Sequence, residues 1–205
     1  MTRRINSWLC LLAALGGVGC SVTGGSDVTA EEAKKSPPKT VLIIRHAEKP
    51  PPEAMSPDLN AAGKQRAEAI PELFKKSAGR PEPLPAPDVI FAAKDSAKSH
   101  RPTQTVAPLA AKLRLKVNTH FDDDSDTEKL AAELLTNPKY AGKTVLVAWR
   151  HGHIPLMAKA LGAADAPAAW GDDVFDRVWK IAFDANGKAT VSDLPQRLLK
   201  GDAEK

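Results

Sequence analysis

With 205 residues, 42% of them hydrophobic and 26% charged, the chain is long enough for one domain with a sizeable core. Its formal charge is +4, but setting aside Arg3 and Arg4 near the amino terminus leaves 27 basic residues against 25 acidic ones. So mild a balance, with only 5% aromatic residues, argues against a nucleic-acid partner or an anionic membrane surface.

Residues 1–20 read as an export signal: Arg3-Arg4, an apolar run from Trp8 to Val18, then small residues ending at Cys20. The run is too short to span a bilayer comfortably. Gly17-Val18-Gly19-Cys20 resembles a bacterial lipoprotein box, which implies lipidation at Cys20 and a membrane contact only through that anchor. Gly17 departs from the leucine usual in such boxes, so ordinary cleavage and release of a periplasmic or secreted protein is the alternative. Cys10 and Cys20 are the only cysteines, so cleavage before Cys20 leaves no thiol to pair and the fold needs no disulfide. Residues 21–38 are a tether without apolar periodicity. A single α/β domain is expected over 39–200, with a tail at 201–205.

Val41-Leu42-Ile43-Ile44 is a continuous apolar run, the pattern of a strand buried on both faces. It runs out at Arg45-His46. After Pro50-Pro51-Pro52, the spacing of Leu59, Ala62, Arg66, Ala69, Ile70, Leu73 and Phe74 predicts an amphipathic helix capped by Asn60 and kinked or broken at Pro71. Pro81, Pro83, Pro85 and Pro87 make a rigid connector. Residues 88–93 form a second strand, followed by a helix that starts around Pro102 with Ser99 as its cap and Arg101 at its amino terminus, where anions are favoured. Leu115 to Phe121 alternates as a third strand. Next come the acidic run Asp122-Asp123-Asp124-Ser125-Asp126, a helix from Glu128 to Leu135, and a strand from Thr144 to Trp149. That strand ends in Arg150-His151-Gly152-His153, before a helix from Ile154 to Leu161. A strand from Val178 to Phe183, an Asn186-Gly187 hairpin signal and a short strand near Thr190-Val191 complete the domain. Strands alternating with helices predict a three-layer αβα domain around a mostly parallel sheet.

Ligands bind at the carboxyl ends of such strands. Arg45, His46, Arg101 and His151 each follow a strand end, so two arginines and two histidines are expected to converge. Guanidinium forks match phosphate oxygens, and a neutral imidazole is a competent nucleophile towards phosphorus near neutral pH.

RHAEKP at 45–50, S-x-RP-x-QT at 99–105 and HG at 151–152 resemble the histidine phosphatase superfamily, the phosphoglycerate mutase-like proteins. The segment SPDLNAAGKQRA resembles the family's stretch after the first motif, and the likeness runs over roughly 39–200. It implies a phosphoglycerate mutase-like fold and a metal-independent phosphatase that needs no cofactor and acts on a small phosphorylated substrate. It also implies that His46 is transiently phosphorylated, that Arg45 and Arg101 bind the phosphoryl group, and that His151 binds it and stabilises the transition state. Ala47 stands where the family commonly has glycine. Gly152 after His151 matches the mutase-like branch, so the leaving-group acid is expected elsewhere: Asp122, Asp123, Asp124 or Glu48. Two readings compete with hydrolysis by this constellation, a phosphate-binding protein without turnover and a phosphomutase. Asp122, Asp124, Asp126 and Glu133 also fall on a calcium-loop spacing, but Thr127 replaces the glycine of the sharp turn and Ser125-x-x-Glu128 reads as a helix capping box. A metal held by His151 and His153 is a further alternative. Asp172, Asp173, Asp176 and Arg177 read as a structural turn and ion-pair cluster, with a role at the substrate edge as the alternative. Neither the natural substrate nor the oligomeric state is legible in the sequence.

Overall fold

The computed structural model describes residues 36–204; the expected export signal, the expected lipidation site Cys20 and the expected tether up to residue 35 lie outside the described residues. Four strands pair in parallel: β1 (Thr40–Arg45), β2 (Val89–Ala92), β3 (Val117–Asn118) and β4 (Thr144–Trp149). β5 (Arg177–Phe183) and β6 (Ala189–Pro195) form an antiparallel hairpin beside β1, giving the sheet order β3-β2-β4-β1-β5-β6. The sheet is mixed but mostly parallel, as expected.

The unbroken apolar runs of β1 and β4 make sense because every residue of both strands is buried. Side chains alternate across the pleat. Val41, Ile43, Val145 and Val147 face α3 (Thr127–Thr136) and α4 (Ile154–Ala160). Leu42, Ile44, Leu146 and Ala148 pack with Val106 and Leu109 of α2 (Arg101–Leu113) and with Ile70 and Leu73. Each fully buried aliphatic side chain contributes about 1.5–3 kcal/mol, and together they fix the three layers.

Local signals were obeyed where they were strong. α1 spans Ala61–Ala69 with the Asn60 side chain accepting from Gly63 N at 2.8 Å, and the chain tightens into a 3-10 turn over Ile70–Phe74 at Pro71. Other expectations need correction. β3 is only two residues long, because Arg114 takes a left-handed φ of 55° and Leu115 N bonds back to Ala110 O, so the helix exit consumes the start of the expected strand. The α2 cap is His100 rather than Ser99, whose hydroxyl accepts from Arg101 N at a long 3.4 Å. The Ser125 capping box does not form: Asp122 Oδ1 takes Asp124 N and Ser125 N, and Asp126 is the cap residue of α3. β6 is longer than the hairpin signal alone suggested. Ordered contacts begin before Lys39, since Ser36 N donates to Leu135 O. They also continue past 200, where Asp202 accepts from Leu198 N and Leu199 N and pairs with Arg66.

β4 sits between β1 and β2, so the loops leaving these three strands meet at one edge of the sheet. Among the described residues, no helix is long and apolar enough to cross a membrane.

Candidate active site

The first loop is fixed by what surrounds it. His46 N extends the β1–β4 pairing by donating to Trp149 O at 3.0 Å. Ala47 N donates to the hydroxyl of buried Thr105, which in turn donates to Arg101 O at 2.7 Å. The threonine of the second motif therefore ties the histidine loop to the arginine helix. Gln104 does the same for the neighbouring loop, accepting from Leu59 N and donating to Asp58 Oδ1. Behind Glu48, α1 comes so close that a Cβ on Gly63 would lie 2.3 Å from Glu48 O. Only glycine allows that approach.

His46 is 4% exposed, with Nδ1 2.8 Å from Ala47 O. A carbonyl only accepts, so Nδ1 carries the proton and Nε2 keeps its lone pair. Burial, opposed by the Ala47 hydrogen bond and reinforced by Arg45, Arg101 and His151, pushes the pKa down to about 3. The ring is a neutral base at any ordinary pH.

Arg45 is 1% exposed. Its Nη1 is wrapped by the carbonyls of Gly171, Asp172 and Val174, and Phe175 lies 3.9 Å from its guanidinium carbon. Nε and Nη2 are buried without a partner. Burial lowers the pKa to about 10, against the pull of Asp172 and Asp173, so the group stays charged. Arg101 anchors Nη1 on Ser56 O at 3.2 Å, leaving Nε buried and unpartnered, and burial lowers its pKa as well. His151 places Nε2 3.0 Å from Asp172 Oδ1 and leaves Nδ1 buried without a partner. Arg45, Arg101 and His151 all act electrostatically on His46, so the four expected residues do converge. Buried donors without acceptors are rare. Here Arg45 and Arg101 hold such donors and His151 holds a buried, unpartnered ring nitrogen, all near enough to His46 to act on its charge, an arrangement that suits an anion.

The four acid candidates separate by their partners. Glu48 Oε1 is held by Arg66 Nε and Nη2 at 2.9 and 2.7 Å. Asp122 caps the turn over Asp124 and Ser125, and exposed Asp124 pairs with Arg150. Asp123 is half-buried; burial pushes its carboxyl above the ordinary range despite Arg150, and it lies near enough to Arg101 to act on its charge. The carboxylates of Asp122, Asp123 and Asp124 approach within 4.8 Å of one another. The calcium-loop geometry does not form, because α3 starts inside the span and Glu133 bonds Asn137. His153 does not join His151; it contacts Asp123 O and Arg150.

Sequence reasoning placed Thr105 in the second motif without giving it a role, and it missed Phe175. It also grouped the 172–177 residues too simply: Arg177 pairs with Asp193, Asp176 accepts from Ala203 N, and Asp172 meets His151. The run Gly171 to Phe175 offered a signal, a polar turn between two tryptophans, but not its target.

The fold carrying this site is that of the histidine phosphatases, the phosphoglycerate mutase-like proteins. A structure of the protein histidine phosphatase SixA complexed with tungstate superposes with a TM-score of 0.51 at 18% identity, covering 77% of this chain and 97% of that one. The native structure of mycobacterial glucosyl-3-phosphoglycerate phosphatase gives 0.50 at 12% identity, with the same coverages of 77% and 97%. No protein-family model matches the sequence, and no curated protein matches it in sequence.

Proposed function

We propose that this protein is a phosphatase that hydrolyses small phosphomonoesters through a phosphohistidine on His46, without a metal. The observation that carries the proposal is the set of buried, unpartnered nitrogens of Arg45, Arg101 and His151 around a histidine held neutral with Nε2 free. The arginine donors suit a phosphoryl group and gain most as charge develops in the transition state. The tungstate in the SixA structure, a tetrahedral oxyanion like phosphate, supports the same reading.

In the first step His46 Nε2 forms a bond to phosphorus while the ester P–O bond breaks. The leaving oxygen takes a proton from Asp123, the candidate whose carboxyl is held protonated to higher pH. In the second step water attacks phosphorus and gives its proton to Asp123. The P–N bond breaks, and phosphate leaves with His46 restored. We further propose that the chain is exported and anchored through Cys20; loss of membrane association in Cys20→Ala, with processing blocked, is the expected result, and unchanged processing would contradict it.

The test incubates the full chain with an aryl phosphate in excess chelator. Turnover is expected, and His46→Ala should reduce it by at least about a thousandfold. Phosphate binding without turnover would identify a binding protein instead. Turnover lost to the chelator and restored by a divalent ion would contradict the metal-free mechanism.

A further inference from the structure

The loop before β5 does more than close the pocket wall. Its carbonyls at Gly171, Asp172 and Val174 wrap Arg45 Nη1, Trp170 Nε1 donates to Val174 O at 2.9 Å, and Phe175 lies against the guanidinium. The backbone is thus anchored at several points around Asp172. The side chain of Asp172 is 88% exposed, yet its Oδ1 stands 3.0 Å from His151 Nε2. Resting on the function proposed above, we propose that Asp172 is a positioning residue for His151: it holds the ring proton on Nε2 and turns Nδ1 towards the phosphoryl oxygens.

A carboxylate at that distance accepts, so Nε2 is the donor. Nδ1 is then the nitrogen with a lone pair, and it is the buried atom left without a partner. A phosphate monoester arriving as its monoanion brings one proton, which Nδ1 takes. The ring becomes an imidazolium bonded to Asp172 on one side and to a phosphoryl oxygen on the other, and the proton departs with inorganic phosphate. The arrangement is that of a histidine oriented by a carboxylate at one nitrogen so that the other does the work.

The charged and titratable groups facing His151 are Arg45 on β1, His46 and Lys49 on the loop after it, and Asp172. Burial, Arg45 and Lys49 hold the imidazole below its ordinary value, and Asp172 opposes them. Removing the carboxylate charge therefore lowers the His151 pKa further. Because the free enzyme must hold His151 neutral to take the substrate's proton, the acid limb of kcat/KM reports its pKa and should move to lower pH.

Asp172→Asn keeps an acceptor but removes the charge; Asp172→Ala removes both. In the full chain, Asp172→Asn should shift the acid limb of kcat/KM down by about one pH unit and lower kcat/KM at pH 7 on the order of 10-fold, short of the ~100-fold for losing a direct donor. Asp172→Glu should restore most of the limb. Imidazole ¹⁵N NMR, assigned by the signal lost in His151→Asn, gives a second readout that needs no turnover. The wild type should show the Nε2–H tautomer and a Nδ1 shift on adding inorganic phosphate, and Asp172→Ala should show a tautomer mixture with a weaker response. A uniform loss of rate with an unmoved limb, or a tautomer unchanged in Asp172→Ala, would overturn the proposal. A wild type without turnover would overturn the phosphatase reading while leaving the NMR comparison to decide the role of Asp172.

Discussion

Among the described residues two arginines are buried almost completely, Arg45 at 1% and Arg66 at 4% exposed, and they are treated in opposite ways. Arg66 is given anions of its own. Nε and Nη2 meet Glu48, Nη1 and Nη2 meet Asp202 at 2.9 and 2.8 Å, and Nη1 also reaches Gln196. Those hydrogen bonds and charges outweigh burial and raise its pKa. Arg45 receives only carbonyls on one nitrogen and an aromatic face, keeps two bare donors, and has its pKa lowered to about 10. A buried cation that meets carboxylates from within the fold serves architecture; one left short of acceptors suits the anion-binding role proposed for Arg45. Arg66 also fastens the segment after β6 to Glu48, two residues from His46, so the satisfied arginine braces the unsatisfied one's pocket.

Breaking the two sites separately should give opposite signatures. Arg66→Met leaves Glu48 and Asp202 as uncompensated buried charges, with an expected loss of about 3–5 kcal/mol in denaturant unfolding. Arg45→Met removes a poorly paired buried charge, so stability should change little or rise, while kcat/KM falls by roughly 10²–10³. Equal stability losses in the two variants would dissolve the distinction.

Asp123 sharpens the comparison on the acid side. Asp123→Asn should slow esters of poorly acidic alcohols by about 100-fold and spare a nitrophenyl ester, whose leaving group needs no proton. A loss independent of leaving-group acidity would remove Asp123 from that role.

The smallest expected effect lies in the pH dependence of stability. His46 titrates at about 3 in the folded protein, against about 6.5 unfolded. Between these values the unfolded chain binds the extra proton. The stability that His46 contributes as a neutral group is therefore fully present above pH 6.5 and is lost progressively as pH falls towards 3. Between pH 6.5 and 5 the loss should reach at most roughly 2 kcal/mol relative to His46→Gln. Parallel stability curves for the two proteins would contradict the depressed pKa.

Much of this was legible in the sequence, for a physical reason. β1, β2 and β4 are buried on both faces and so read as unbroken apolar runs, while β3, an edge strand of two residues, showed only as an alternation over 115–121 that overstated its length. Arg45, His46 and His151 were visible because they sit next to strand ends, and Arg101 because it opens a helix with proline behind it. The acid was not visible because four carboxylates differ only in partners supplied from elsewhere, such as Arg66 for Glu48 and Arg150 for Asp124. The Arg66–Asp202 pair spans 136 residues and the clasp on Arg45 up to 129, separations at which no periodicity or motif operates.

The central claim is that His46 carries the phosphoryl group, and rapid-quench trapping tests it most directly. The full chain would be mixed with an aryl phosphate, denatured in alkali within milliseconds, digested and mapped by mass spectrometry. The account expects one phosphate on the peptide containing His46, attached through Nε2, stable in alkali and lost in acid. Turnover without any phosphoenzyme, or a phosphate mapped to another residue, would contradict it.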